Sequence, residues 1–262
     1  MKSFYAEAFR SRLKPQTLAD IAGWDAAVHG FCRPICCGDL PKGLSGSAKI
    51  TEHFFISTGL QPKEWSPHLE NIPSLHPFMQ TLPRGVPHPV GCTLFHSDQP
   101  SKEGYLHTLL HFLPPRPSEA LSGSLTEYSL GEPLGEMSWE SIKATAPKRD
   151  RSSEYLIFVC AHGLRDARCG YCGPVLVDLF QQAVETMKQG ERVHVHACSH
   201  VGGHVYAANV LVFSRFGGVF YGLFTPADIE PLLESFCHDT GAIPASLHSR
   251  IRGILWPTGG VK

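Results

Sequence analysis

No stretch of this 262-residue chain is apolar for long enough to cross a membrane. A helical span needs about 20 apolar residues, and runs such as EYLIFVC at 154–160 and NVLVF at 209–213 fall far short. Neither sign of charge is in excess, since 23 Lys and Arg face 24 Asp and Glu. The clustered basic surface that marks nucleic-acid binding is therefore missing. The N-terminal MKSFYAEAFRSRLKPQ has no apolar core of a secretory signal, and nine cysteines over this length are too sparse for a disulfide scaffold. These absences predict a soluble globular protein of a reducing compartment, not secreted, without a nucleic-acid partner and without membrane insertion. The same N-terminal segment sets Lys2, Arg10, Arg12 and Lys14 against Glu7, with Phe4, Phe9 and Leu13 between them. That weak presequence pattern makes a mitochondrial or a cytoplasmic location the expectation.

What is present divides the chain in two. Residues 30–147 are rich in Pro and Gly, with short strand-like runs at 53–58, 91–95 and 104–113, and the polar PKRDRSS at 147–153 suits a boundary. Domains are accordingly expected at 1–150 and 151–262. In the second, EYLIFVC reads as a buried strand and PVLVDLFQQAVETMKQ at 174–189 as an amphipathic helix opened by Pro174 and closed by Gly190. Strands follow at 192–198, 209–216 and 218–224, then a helix at 226–237 capped by Thr225. Strand, helix, three strands, helix is the thioredoxin arrangement, so the fold class is α/β. HFFISTG and YLIFVCAHG both end a strand in a loop. The pattern predicts that the first half is a degenerate thioredoxin-like copy packed on the second.

The chemistry concentrates in the second half. Cys160 and Cys169 lie nine positions apart, and about thirty residues later His200 and His204 lie four apart in CSHVGGHVYAANV. Two thiolates and two imidazoles fill one tetrahedral zinc ion or the two irons of a cluster. Gly202 and Gly203 disfavour helix between the histidines, so a loop is expected, with the backbone free to approach a bound group. Two other readings use the same residues. Cys169-Gly170-Tyr171-Cys172 is a CxxC ahead of a helix, as in thiol-disulfide oxidoreductases, and Cys2His2 also suits a structural zinc module.

FVCAHGLRDARCGYCGPVL, SHVGGHVYAANVLVF and YGLFTPADI, in that order, resemble the three motif blocks of the sucrase/ferredoxin-like family of thioredoxin-like ferredoxins. TEHFFISTG and EWSPHLEN resemble that family's N-terminal region more weakly. The resemblance implies an electron-transfer protein rather than an enzyme, acting in redox homeostasis with partner proteins. It implies a 2Fe-2S cluster on Cys160, Cys169, His200 and His204, with Cys172 a bystander. Two histidine ligands raise the potential above that of an all-cysteine cluster, as in Rieske centres, and their second ring nitrogens make it pH-dependent.

The remaining candidates carry weaker signals. His162, Arg165, Asp166 and Arg168 lie between the two cysteine ligands, where they either donate to the cluster or brace the loop. Cys32, Cys36 and Cys37 are read as structural, Cys198 as a packed core thiol, and His194 and His196 as surface-facing side chains on one face of a strand. Arg250 and Arg252 are read as part of a solvated tail.

Overall fold

The computed structural model describes residues 9–31, 44, 50, 52–57, 59–84, 90–97, 104–114 and 123–255, without the side chains of residues 70 and 204. Cys32, Cys36 and Cys37 lie outside these residues. The described strands are β1 (His53–Ser57), β2 (Gly91–His96), β3 (His107–Leu113), β4 (Ser124–Leu130), β5 (Lys148–Asp150), β6 (Tyr155–Cys160), β7 (Val193–Cys198), β8 (Val210–Ser214), β9 (Gly217–Tyr221) and β10 (Ile251–Leu255). The α-helices are α1 (Pro15–Ile21), α2 (Ala26–His29), α3 (His76–Thr81), α4 (Trp139–Thr145), α5 (Ala167–Thr186) and α6 (Ile229–Cys237). No helix among the described residues is long and apolar enough to cross a membrane.

All ten strands form one sheet in the order β10-β9-β8-β6-β7-β2-β1-β3-β4-β5. The order reads as the same unit twice. β6 pairs in parallel with β7 and antiparallel with β8, and β9 and β10 follow antiparallel. β1 likewise pairs in parallel with β2 and antiparallel with β3, followed by antiparallel β4 and β5. Each unit sets a helix between its parallel strands, α5 or α3, and another before its last strand, α6 or α4. Sequence anticipated the repeat but not its strands β4, β5 and β10.

The units meet edge to edge through only two register pairs, Phe95 with Cys198 and His96 with Ala197. Phe55 on β1 and Phe158 on β6 stand three strand spacings apart in this order, about 14 Å on a flat sheet. Their rings nevertheless stack with centroids 3.7 Å apart. Phe213 of β8 lies edge-on to Phe55 at 5.0 Å and to Phe112 of β3 at 4.6 Å. The sheet is therefore folded at the β2–β7 crease, and the units close face to face over a shared aromatic core. The helices cover the two outer faces: α3 and α4 over the first unit, α5 and α6 over the second. Residues 9–31, counted with the first domain on sequence, pack through Phe9, Leu13 and Ile21 into the core beneath α5 of the second.

Helix boundaries depart from the sequence expectation at one place that matters. The helix placed at 174–189 begins at Ala167, so Pro174 lies within it and not at its start. Asp166 caps it: its Oδ1 accepts the Arg168 N–H at 3.0 Å, and its two carboxylate oxygens take the Arg168 guanidinium at 2.8 and 2.6 Å. The helix ends at Thr186, with Lys188 taking the left-handed φ of 55° ahead of Gly190. Thr225 caps as expected, its N–H and hydroxyl both donating to Asp228 Oδ2 at 2.7 Å.

At the junction of the units, Arg151 is buried between Glu127 and Glu154. Burial pushes the Glu154 carboxyl up, but the His194 ring 2.7 Å away and the hydrogen-bonded Arg151 outweigh it and hold the pKa at about 2. A depressed carboxylate contributes stability above its ordinary range and loses it as pH falls through the folded value. Glu154→Gln should flatten the loss of stability between about pH 4.5 and pH 2, read from urea midpoints across that window. The aromatic closure predicts that Phe158→Ala costs about 3–5 kcal/mol in equilibrium unfolding; a cost under about 1 kcal/mol would show that the stack contributes little.

Candidate metal centre

β6 ends at Cys160, and six residues later Asp166 starts α5, which puts Cys169 in its first turn and Cys172 one turn on. The CxxC, expected ahead of the helix, thus lies within it. The helix runs close against the strand end. A Cβ at Gly173 would sit 2.5 Å from both the Cys160 carbonyl oxygen and the Ala161 Cα, and one at Gly170 would sit 2.8 Å from the Gly163 Cα. β7 runs parallel to β6 in register and ends at Cys198, opposite Cys160. Beyond it, Gly202 and Gly203 take left-handed φ values of 74° and 61°, and a single 3-10 turn, His204–Tyr206, follows. His200 therefore stands in a loop and His204 opens the 3-10 turn, with no α-helix between them, as their glycines required.

Two of the four candidate ligands, Cys160 and Cys169, come together, with His200 acting on the first of them. Cys160 and Cys169 are fully buried. The Cys169 thiol and the His200 ring both act to lower the Cys160 pKa, against the opposing effect of burial. Cys169 is driven the other way by Cys160 and by burial. His200 Nδ1 is buried without a hydrogen-bond partner among the described residues. Of His204 the description covers the backbone only. Among the described residues, no three His, Cys, Asp or Glu side chains are gathered as a metal-holding group. The donor chemistry at the strand end still fits a soft metal or cluster: two sulfurs, an imidazole in contact with one of them, and an unsatisfied ring nitrogen.

The flanking residues brace this arrangement. His162 is buried, its Nδ1 accepting the His200 N–H at 3.3 Å while its Nε2–H donates to the Trp65 carbonyl at 3.3 Å. These two bonds fix its tautomer, and burial lowers its pKa, so it is a neutral brace between the units. Arg168 is bound to Asp166, and Arg165 donates to His68 of the first unit at 3.2 Å. Ser199 N–H donates to the Leu94 carbonyl at 2.9 Å, and the Leu94 N–H donates back to Ser199 Oγ at 3.0 Å.

Cys172 is fully buried in the core under α5, its thiol donating to the His29 carbonyl at 3.4 Å. Cys169 belongs to the other core, between the sheets. A disulfide exchanger needs an accessible thiolate; here both CxxC sulfurs are fully buried. Cys198 is a packed thiol, as expected, its pKa raised by burial and by Cys160. His194 and His196 share a face of β7 within the fold: His194 meets Glu154 at 2.7 Å, and the His196 ring lies 5.0 Å from that of Phe95.

One residue escaped the sequence reading. Arg252 does not sit in a solvated tail but is buried on β10, its Nη1 donating to Asn209 Oδ1 and to the Gly202 carbonyl, the latter at 3.4 Å. Its neighbour Arg250 pairs with Asp228 at 3.2 Å. No local signal marks position 252, because the groups around it come from 202–209 and 222.

A model of the sucrase/ferredoxin-like family matches residues 44–251. Altered inheritance of mitochondria protein 32 of Debaryomyces hansenii is 28% identical over 228 residues, 75% of this chain and 81% of that protein. Its namesake in Meyerozyma guilliermondii is 38% identical over 84 residues, 32% of this chain and 30% of that one. Actin patches distal protein 1 of Saccharomyces cerevisiae is 31% identical over 88 residues, 30% of this chain and 28% of its own. Among solved structures, a thioredoxin-like 2Fe-2S ferredoxin from Aquifex aeolicus is similar at 19% identity and a TM-score of 0.33, over 42% of this chain and 99% of that one.

Gly173→Ala ordinarily stabilises a helix by about 1 kcal/mol. Here the added methyl meets the backbone of Cys160 and Ala161, so the expected sign is reversed, with a loss of roughly 1–3 kcal/mol in urea unfolding.

Proposed function

The chain belongs to the sucrase/ferredoxin-like family, and on that premise we propose that it is an electron carrier whose iron-sulfur cofactor is a 2Fe-2S cluster on Cys160, Cys169, His200 and His204. The observation that supports the proposal is that β6 and α5 bring the buried sulfurs of Cys160 and Cys169 together, with His200 of the loop after β7 beside them and its Nδ1 buried without a partner among the described residues. When bound, such a cluster supplies reversible one-electron exchange.

The chain's own residues set the conditions. Burial of both sulfurs keeps water from the thiolates, and His162 and Ser199 hold the histidine loop in place through the first unit. Imidazole ligands leave the site less negative than four thiolates, which favours reduction. The ring nitrogen of each histidine not used in ligation takes a proton more readily when an electron arrives, so the potential falls as pH rises. No substrate is transformed, and the partners are redox proteins. We place the cluster-bearing domain at 151–262 and a cluster-free domain within 1–150. Ser57 ends β1 in the sequence Phe-Ile-Ser where Cys160 ends β6 in Phe-Val-Cys, which removes the first sulfur from the copy. The relatives named for the inheritance of mitochondria favour a mitochondrial or cytoplasmic setting.

Protein purified without oxygen should be coloured and carry about two iron and two sulfide per chain. A colourless product with one zinc would instead support the structural Cys2His2 module. His200→Cys and His204→Cys are each expected to keep iron while lowering the potential and flattening its pH dependence; unchanged redox behaviour in both removes histidine ligation. Cys172→Ser should leave the visible spectrum intact, whereas a disulfide exchanger would lose its activity.

A further inference from the structure

Arg252 comes from the last described strand, far in sequence from every motif block, yet it is built into the candidate metal centre. A Cβ at Gly203, between the two histidines, would lie 2.1 Å from its Nη2. A Cβ at Gly222, beside the last residue of β9, would lie 2.6 Å from its Cδ. Glycines of two separate motif blocks, GGH and YG, thus clear one slot for one side chain. The guanidinium is held there by the Asn209 side chain and the Gly202 carbonyl and lies 5.3 Å from the centre of the Tyr206 ring. Asn209 also accepts the Cys160 N–H on its own carbonyl at 3.0 Å, so the residue that anchors the arginine also anchors the first cysteine. The side chain is 4% exposed, so water screens its charge little. Burial lowers its pKa, while Tyr206, Cys160 and Cys169 act in the opposite direction, which puts both thiols within its electrostatic reach.

We infer that Arg252 is a positioning and charge-setting residue of the cluster site: it wedges the Gly202–Gly203 turn that follows His200 beside the two cysteines, and its fixed positive charge stabilises the reduced state. The inference rests on the cluster assignment. An electron arriving from a one-electron donor protein adds a negative charge to the site, and a buried cation nearby favours that state over the oxidised one. Removing the charge must make the site a poorer electron acceptor.

The test compares full-length wild type, Arg252→Gln and Arg252→Lys, purified without oxygen, by iron content and by midpoint potential in a spectroelectrochemical titration. Arg252→Gln is expected to keep iron and shift to a more negative potential, with Arg252→Lys close to wild type. Iron-loaded Arg252→Gln titrating at the wild-type potential overturns the charge-setting role, whereas a wild type without iron overturns the cluster assignment itself. Should Arg252→Gln fail to hold iron, Arg252→Lys decides: iron retained at a wild-type potential supports the charge role, and iron lost from both variants overturns it in favour of a purely structural wedge.

Discussion

The two units are held together by the stack of Phe55 on Phe158, which closes a ten-stranded sheet upon itself. Both rings are fully buried and occupy matching positions, two residues before the end of the first parallel strand in each unit. A crease of only two register pairs cannot fix the angle between the sheets. The aromatic core does so, because Phe213 fits edge-on against Phe55 and Phe112 and leaves one depth of approach. Everything at the far end of β6 inherits that angle.

The candidate metal centre is thereby a product of both halves, although its expected donors all come from one. Trp65 supplies the carbonyl that orients His162, Leu94 exchanges two hydrogen bonds with Ser199, and His68 receives Arg165. Each contact lies within a few residues of a proposed ligand. The first unit carries Ser57 where the second carries Cys160, and its hydrogen bonds hold the loops around the proposed ligands.

Much of this was legible in the sequence. Continuous apolar runs gave β6 and β8, and Thr-Pro gave the cap before α6, because those signals are local. The paired Gly202 and Gly203 correctly argued for a loop between the histidines. Pro174 misled: its preference for a helix start was overridden by the Asp166 cap and its ion pair with Arg168, eight residues earlier. The role of Arg252 was illegible because its surroundings, Gly203, Asn209 and Gly222, are assembled only when β10 pairs with β9. Tertiary burial, not local pattern, decides what an isolated arginine does.

The approach of α5 to the end of β6 gives the site a ruler made of main chain. At Gly173, and again where Gly170 meets Gly163, helix and loop touch without an intervening side chain. The spacing between the strand bearing Cys160 and the helix bearing Cys169 is consequently set by the thickness of two backbones, a dimension that does not vary with the residues packed around it. The core between the sheets can drift in composition while the two sulfurs keep their separation, so the gauge of the site is insulated from the evolution of its scaffold.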